Sequence, residues 1–180
     1  MSGPTLVIEL AEPVPPAALR ELRALMVALS SRFEEKRPGF FDVNVPAERL
    51  GFEDGREEDS RRPFLVYLMG PGVGDADLFE AEHEDEPEVE AVLGFRPTHA
   101  VNVSACCNRG IDHAATALLT AAVMDVIGGV AKAELLDGQA SSVVGLEGVL
   151  GITDGGRPNV LGAAEFLRAW GGQPGFRLVK

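Results

Sequence analysis

Asn108, Arg109, Asp112 and His113 place an amide, a guanidinium, a carboxylate and an imidazole within six positions of the chain. The run before them, His99 to Ala105, reads as a strand, and the run after them as a helix. The four therefore sit at a strand-to-helix turn, where α/β proteins place small-molecule ligands. Two of them also have a plainer use, since Asn108 suits a turn and Asp112 complements the positive start of a helix. Cys106 and Cys107 lie beside them. One histidine and two neighbouring thiols do not supply the four paired ligands of a zinc site. A nucleophilic thiol would need an electropositive seat, such as the helix start beside Arg109. Both cysteines are read as small apolar residues closing a buried strand.

Gly70-Pro71-Gly72-Val73-Gly74 follows a strand, as a phosphate loop would. It lacks the lysine and hydroxyl of such a loop and the G-x-G-x-x-G spacing of a dinucleotide site. Asp75 and Asp77 would repel phosphate, so the segment is read as a turn. His83, His99 and His113 are far apart, and no serine elbow or HExxH accompanies them. Neither a catalytic set, nor a cofactor, nor a metal is expected.

The charge carries more information. The chain has 28 acids, 16 bases and a net charge of −12. That sign opposes nucleic acid and anionic membrane, both of which need a cationic face. Residues 1–90 hold the whole excess, and residues 91–180 balance. Within the first half, residues 53–90 carry 14 acids against Arg56, Arg61 and Arg62, a net of −11. Seven of the eleven positions from Glu80 to Glu90 are acidic. Such a run is usually a solvated face, yet a basic partner would feel its field at long range. Glu80, Glu82, Glu84, Asp85 and Glu86 are therefore the candidate partner-binding residues.

The elements that must position these groups follow from periodicity. Thr5 to Leu10 reads as a strand ended by the prolines at 13, 15 and 16. Ala18, Leu19, Leu22, Leu25, Met26 and Leu29 recur at helical spacing, predicting a helix over 16–33. Strands are predicted from Phe40 to Val45 and from Pro63 to Met69. Residues 50–62 and 70–85 are expected to be exposed acidic or Gly-containing loops. Asp85 to Leu93 reads as a short helix entered through Pro87 and closed by Gly94. The apolar stripe Ile111, Ala115, Leu118, Leu119, Ala122, Val123, Val126 and Ile127 predicts a long helix stopped by Gly128-Gly129. Strands over Val130–Leu136 and Ser142–Val149, a helix over Ala163–Trp170 and an edge strand at Phe176–Val179 complete the reading. The order β-α-β-β-α-β-α-β predicts one α/β (α+β) domain over 1–180, a mixed sheet with helices packed on it.

Compartment follows from what the sequence lacks. Met1 to Thr5 has no basic or apolar leader character. The uncharged stretch from Ala114 to Met124 is too short to span a bilayer. Two adjacent cysteines give no disulfide framework, so a reducing, cytoplasmic setting is expected. Thirteen arginines against three lysines, with abundant Ala, Gly, Leu and Val, fit a GC-rich bacterial genome.

Several stretches carry a resemblance: Gly3-Pro4, Phe40-Phe41-Asp42-Val43, Cys107-Asn108 with Ile111-Asp112-His113, the helix ending in Gly128-Gly129, Glu165 to Trp170, and Phe176 to Lys180. Together they resemble an uncharacterised family of bacterial domains of unknown function, similar in style to small cytosolic immunity proteins that neutralise polymorphic toxins. Sequences of that kind place an aspartate soon after the double glycine, where this chain has Val130-Ala131-Lys132. The resemblance implies fold and compartment and carries no catalytic residues over. The expected function is that of a non-enzymatic, immunity-like binding protein offering an acidic surface to a basic, toxin-like protein. The alternative is a small-molecule-binding domain or enzyme centred on Asn108, Arg109, Asp112 and His113.

Overall fold

A computed structural model describes residues 3–53, 61–84, 86–154 and 156–179. Thr5–Leu10 forms β1, and its alternation decides much of the fold. Leu6, Ile8 and Leu10 point to one face and are buried there, while Thr5, Val7 and Glu9 point to the other. After it come α1 (Pro16–Leu29), β2 (Arg32–Arg37), β3 (Phe40–Pro46), β4 (Arg61–Met69), α2 (Ala76–Glu82) and α3 (Pro87–Leu93). The second half runs β5 (His99–Ala105), α4 (Gly110–Ile127), β6 (Val130–Glu134), α5 (Ala140–Val143), β7 (Val149–Ile152), β8 (Asn159–Gly162) and α6 (Ala164–Gly171). The eight strands make one sheet in the order β2-β3-β4-β5-β1-β6-β8-β7. The fold is α+β, and every pairing is antiparallel where the sequence allowed a mixed sheet.

The helices divide unequally between the two faces. α1, α4 and α6 cover Leu6, Ile8, Phe41, Val43, Phe64, Val66, Val101 and Val103, and this side holds the main core. α4 packs on α1, α6, β1 and β5, so it is enclosed on several sides rather than along one stripe. Ala117 and Ala121 are fully buried with Leu119 and Val123. Thr116 and Thr120 are buried too, and each donates its hydroxyl to the carbonyl four residues back. On the opposite face α2 meets β4, and α3 meets β7 and β8.

Gly128 and Gly129 turn the chain from α4 into β6 with φ of 74° and 89°. A Cβ on Gly129 would lie 2.6 Å from Ile8 Cγ2. The glycine pair thus lets β6 lie against β1, bringing Lys132 opposite Val7 and beside Glu9.

Five local expectations are corrected. The first helix ends at Leu29, because Ser30 turns both its N–H and its hydroxyl onto the Met26 carbonyl. Arg32–Arg37 then pairs with β3, its alternation hidden by five charges in six positions. Residues 142–148 are not a strand, and β7 begins at Val149, where the expected strand ends. Gln139 Oε1 accepts from Leu136 N–H and Ser142 Oγ donates to the Gln139 carbonyl, and these local bonds hold a helical turn. Phe176–Val179 forms no ladder, since Leu178 N–H donates to His113 Nδ1 instead. Within 70–85, α2 forms because Phe79 buries against Met69 and Ala100. Of the 50–62 loop, positions 54–60 lie outside the described residues.

Candidate functional site: an acidic cleft over a buried charge cluster

Glu9 is the one carboxylate of β1, and the strand's alternation directs it to the face that α2 covers. It is completely buried. Burial pushes its carboxyl pKa up, but the hydrogen bond from His83 and the charge of Lys132 outweigh burial and hold it below the ordinary value. Oε2 lies 2.7 Å from His83 Nε2, and Oε1 lies 2.9 Å from Lys132 Nζ. The ammonium donates a hydrogen bond to Glu86 Oε2 at 2.8 Å, while its contact with Glu9 is an ion pair. Lys132 loses from burial and gains more from Glu9 and Glu86, so its pKa is raised.

His83 ends α2, and its ring stacks on Phe79 with centroids 4.1 Å apart. Its Nδ1 lies 2.8 Å from the Phe79 carbonyl. A carbonyl oxygen only accepts, so Nδ1 must donate. Nε2 faces the carboxylate of Glu9, so it must donate as well. Both ring nitrogens carry protons, and His83 is an imidazolium. The direction of its pKa agrees: burial disfavours the charged ring, and Glu9 overcomes that and raises it. With His83 and Lys132 charged, the two cations balance Glu9 and Glu86. Glu9, His83 and Glu86 bring their ligating atoms within 4.8 Å of one another, the outline of a cation seat. The cation occupying it is the Lys132 ammonium.

Above this cluster, α2 and α3 enclose a cleft of about 630 Å³. Asp77, Glu80, Glu84, Glu86 and Glu90 line it, with His83 and Phe79 on the α2 side and Arg96 as the single lysine or arginine among the described lining residues. Arg96 stands 3.7 Å from Glu90. Among the described residues, Asp77, Glu80 and Glu84 have no ion-pair partner. Some acids elsewhere are paired: Glu35 takes a two-pronged bond from Arg23, Glu34 pairs with Arg32, and Asp42 pairs with Lys36, whereas others such as Glu21 and Glu147 stand exposed on separate parts of the surface. Asp75, which starts α2 in the left-handed region at φ 49°, is bonded by Arg37.

A profile for a family of unknown function, DUF6368, matches residues 2–180. The chain belongs to that family. No curated protein and no solved structure matches it. For this DUF6368 member, the side chains themselves are the source of any functional reading.

The structure gathers most of the expected acidic residues into one place. Glu80, Glu84 and Glu86 line the cleft, Glu82 is exposed on α2 outside its lining, and Asp85 lies outside the described residues. At the other candidate site, Asp112 and His113 are buried and engaged within the fold. Asp112 accepts from Arg62 Nη1 at 2.9 Å and from Arg109 N–H at 2.6 Å, pairing a buried arginine while it caps α4. His113 receives the C-terminal segment at Leu178. Asn108 Oδ1 is buried without a hydrogen-bond partner among the described residues. A depression of about 510 Å³ beside the turn takes Gly110, Ala114 and Arg177 into its lining, but none of the four candidate residues. Cys106 is exposed and Cys107 half-buried, correcting the expectation of a buried pair. Partial burial and the charge of Asp42 raise the Cys106 thiol pKa, which leaves it poorly nucleophilic.

Glu9, His83 and Lys132 escaped the sequence reading because they lie 74 and 49 positions apart along the chain. Glu9 had a faint signal, as the only charge in an otherwise apolar strand.

Proposed function

We propose that this chain is a non-enzymatic, immunity-like binding protein of the bacterial cytoplasm that receives a basic protein partner in the α2–α3 cleft. The observation that carries the reading is the set of five carboxylates around one cleft, three of them without an ion-pair partner among the described residues. Like charges gathered in a concave site raise the local potential and draw in a counter-charge. A lysine or arginine side chain entering the cleft would relieve that repulsion and give directional, charge-assisted bonds to the carboxylates. Leu78, 45% exposed on α2, offers an apolar contact at the same helix. The state of His83 favours binding over catalysis. Both its nitrogens are committed to Phe79 and Glu9, so the ring has none to offer a substrate as acid or base.

Nuclear magnetic resonance titration with a lysine-rich peptide tests the reading. Amide shifts should concentrate on Ala76–Glu82 and Pro87–Leu93 and fade as salt is added. Shifts confined to the Asn108–His113 turn, or no shifts at low salt, would sink it.

A further inference from the structure

We propose that Glu9, His83, Lys132 and Glu86 form a proton-operated clasp that holds both walls of the α2–α3 cleft to the sheet, and that the cleft loosens when His83 loses its proton. The consequence for a partner rests on the function proposed above; the clasp itself does not. Two attachments make it. The C-terminal end of α2 is pinned by His83 to Glu9 on β1, and the entry to α3 is pinned by Glu86 to Lys132 on β6. β1 and β6 are neighbours in the sheet, and Lys132 also contacts Glu9, so both helices hang from one buried carboxylate. Each helix has only seven residues, too few to persist without tertiary support. α2 keeps one buried apolar anchor, Phe79.

The charged groups around His83 are Glu9 from β1, Lys132 from β6, Glu86 ahead of α3 and Glu82 on its own helix. With His83 protonated, the four-residue cluster is neutral. When the proton leaves to solvent through the cleft that His83 lines, the neutral ring keeps one donor, so either Nε2 faces Glu9 Oε2 across 2.7 Å or Nδ1 faces the Phe79 carbonyl across 2.8 Å as two acceptors, and one of its two bonds is lost. The cluster then carries an uncompensated negative charge on a carboxylate with no access to water, which is costly. Lifting the end of α2 from the sheet admits water to Glu9 and relieves this, which releases the helix.

The wild-type protein supplies the first test. A long-range proton–nitrogen spectrum should show both His83 ring nitrogens still protonated at pH values above the ordinary histidine midpoint of about 6.5. A neutral ring there overturns the clasp. Hydrogen exchange supplies the second. After correction for intrinsic rates, α2 amides should lose at least about tenfold in protection as pH crosses the His83 titration, an opening shift of about 1.4 kcal/mol. The same amides in His83→Gln should show no such step. Equal protection of α2 on both sides of the wild-type titration contradicts the proposal, whatever the variant does. A lysine-rich peptide then separates the two readings. Binding that weakens over the same pH range supports both. An α2 that opens with pH while the peptide binds at no pH supports the clasp and removes the partner reading.

Discussion

A carboxylate in the middle of an apolar strand is stable only with its counter-charges in place. Glu9 is fully buried between His83 and Lys132. Removing it would strand the Lys132 ammonium, whose side chain is 11% exposed, against one remaining acid. Glu9→Ala should therefore destabilise by about 3–5 kcal/mol, measured by chemical denaturation. A loss under about 1 kcal/mol would mean that water reaches the cluster and screens it. The same residues fix a pH dependence. His83 has a raised pKa in the folded protein, so its stabilisation is full below the ordinary value of about 6.5 and is lost as pH rises through the folded value. Glu9 has a lowered pKa, so its contribution is present above about 4.3 and is lost as pH falls through the folded value. Melting temperature should thus decline on the alkaline side in wild type and less steeply in His83→Gln. Identical alkaline limbs would show that His83 does not hold this proton.

Elements with strong periodicity were legible in the sequence, and those held by particular side chains were not. The long helix was read from its apolar residues, and the structure places Leu119 and Val123 in the core with no exposure. Leu119→Ala should cost about 2–5 kcal/mol by denaturation, and a loss below about 0.5 kcal/mol would put the residue outside the core. The stripe alone did not show that Ala117, Ala121, Thr116 and Thr120 are buried as well, because it assumes one partner surface where α4 has several. β7 and β8 were missed because each has four residues including a glycine, too short for alternation to register. α2 was missed because its acids mask the one apolar residue, Phe79, that ties it down.

At the scale of the whole molecule, charge and topology converge. The acidic excess of residues 53–90 was visible in the sequence, where it raised the expectation of a basic partner. Its shape was not: sheet order brings β1 and β6 together, Lys132 and Glu9 meet there, and α2 and α3 close over them as an acidic cleft. Net charge alone would attract a cation anywhere on the surface, whereas a cleft does so at one place. Two variants that change net charge equally separate these cases. One carries Asp77→Asn, Glu80→Gln and Glu84→Gln in the cleft; the other carries Glu21→Gln, Asp137→Asn and Glu147→Gln at exposed positions elsewhere. The deciding measurement is calorimetric titration of both, and of wild type, with one lysine-rich peptide at fixed ionic strength. The cleft variant should bind at least about tenfold more weakly, a loss of about 1.4 kcal/mol, while the other stays within about twofold of wild type. Equal weakening in both variants would contradict the account, because the peptide would then be responding to net charge and not to the cleft.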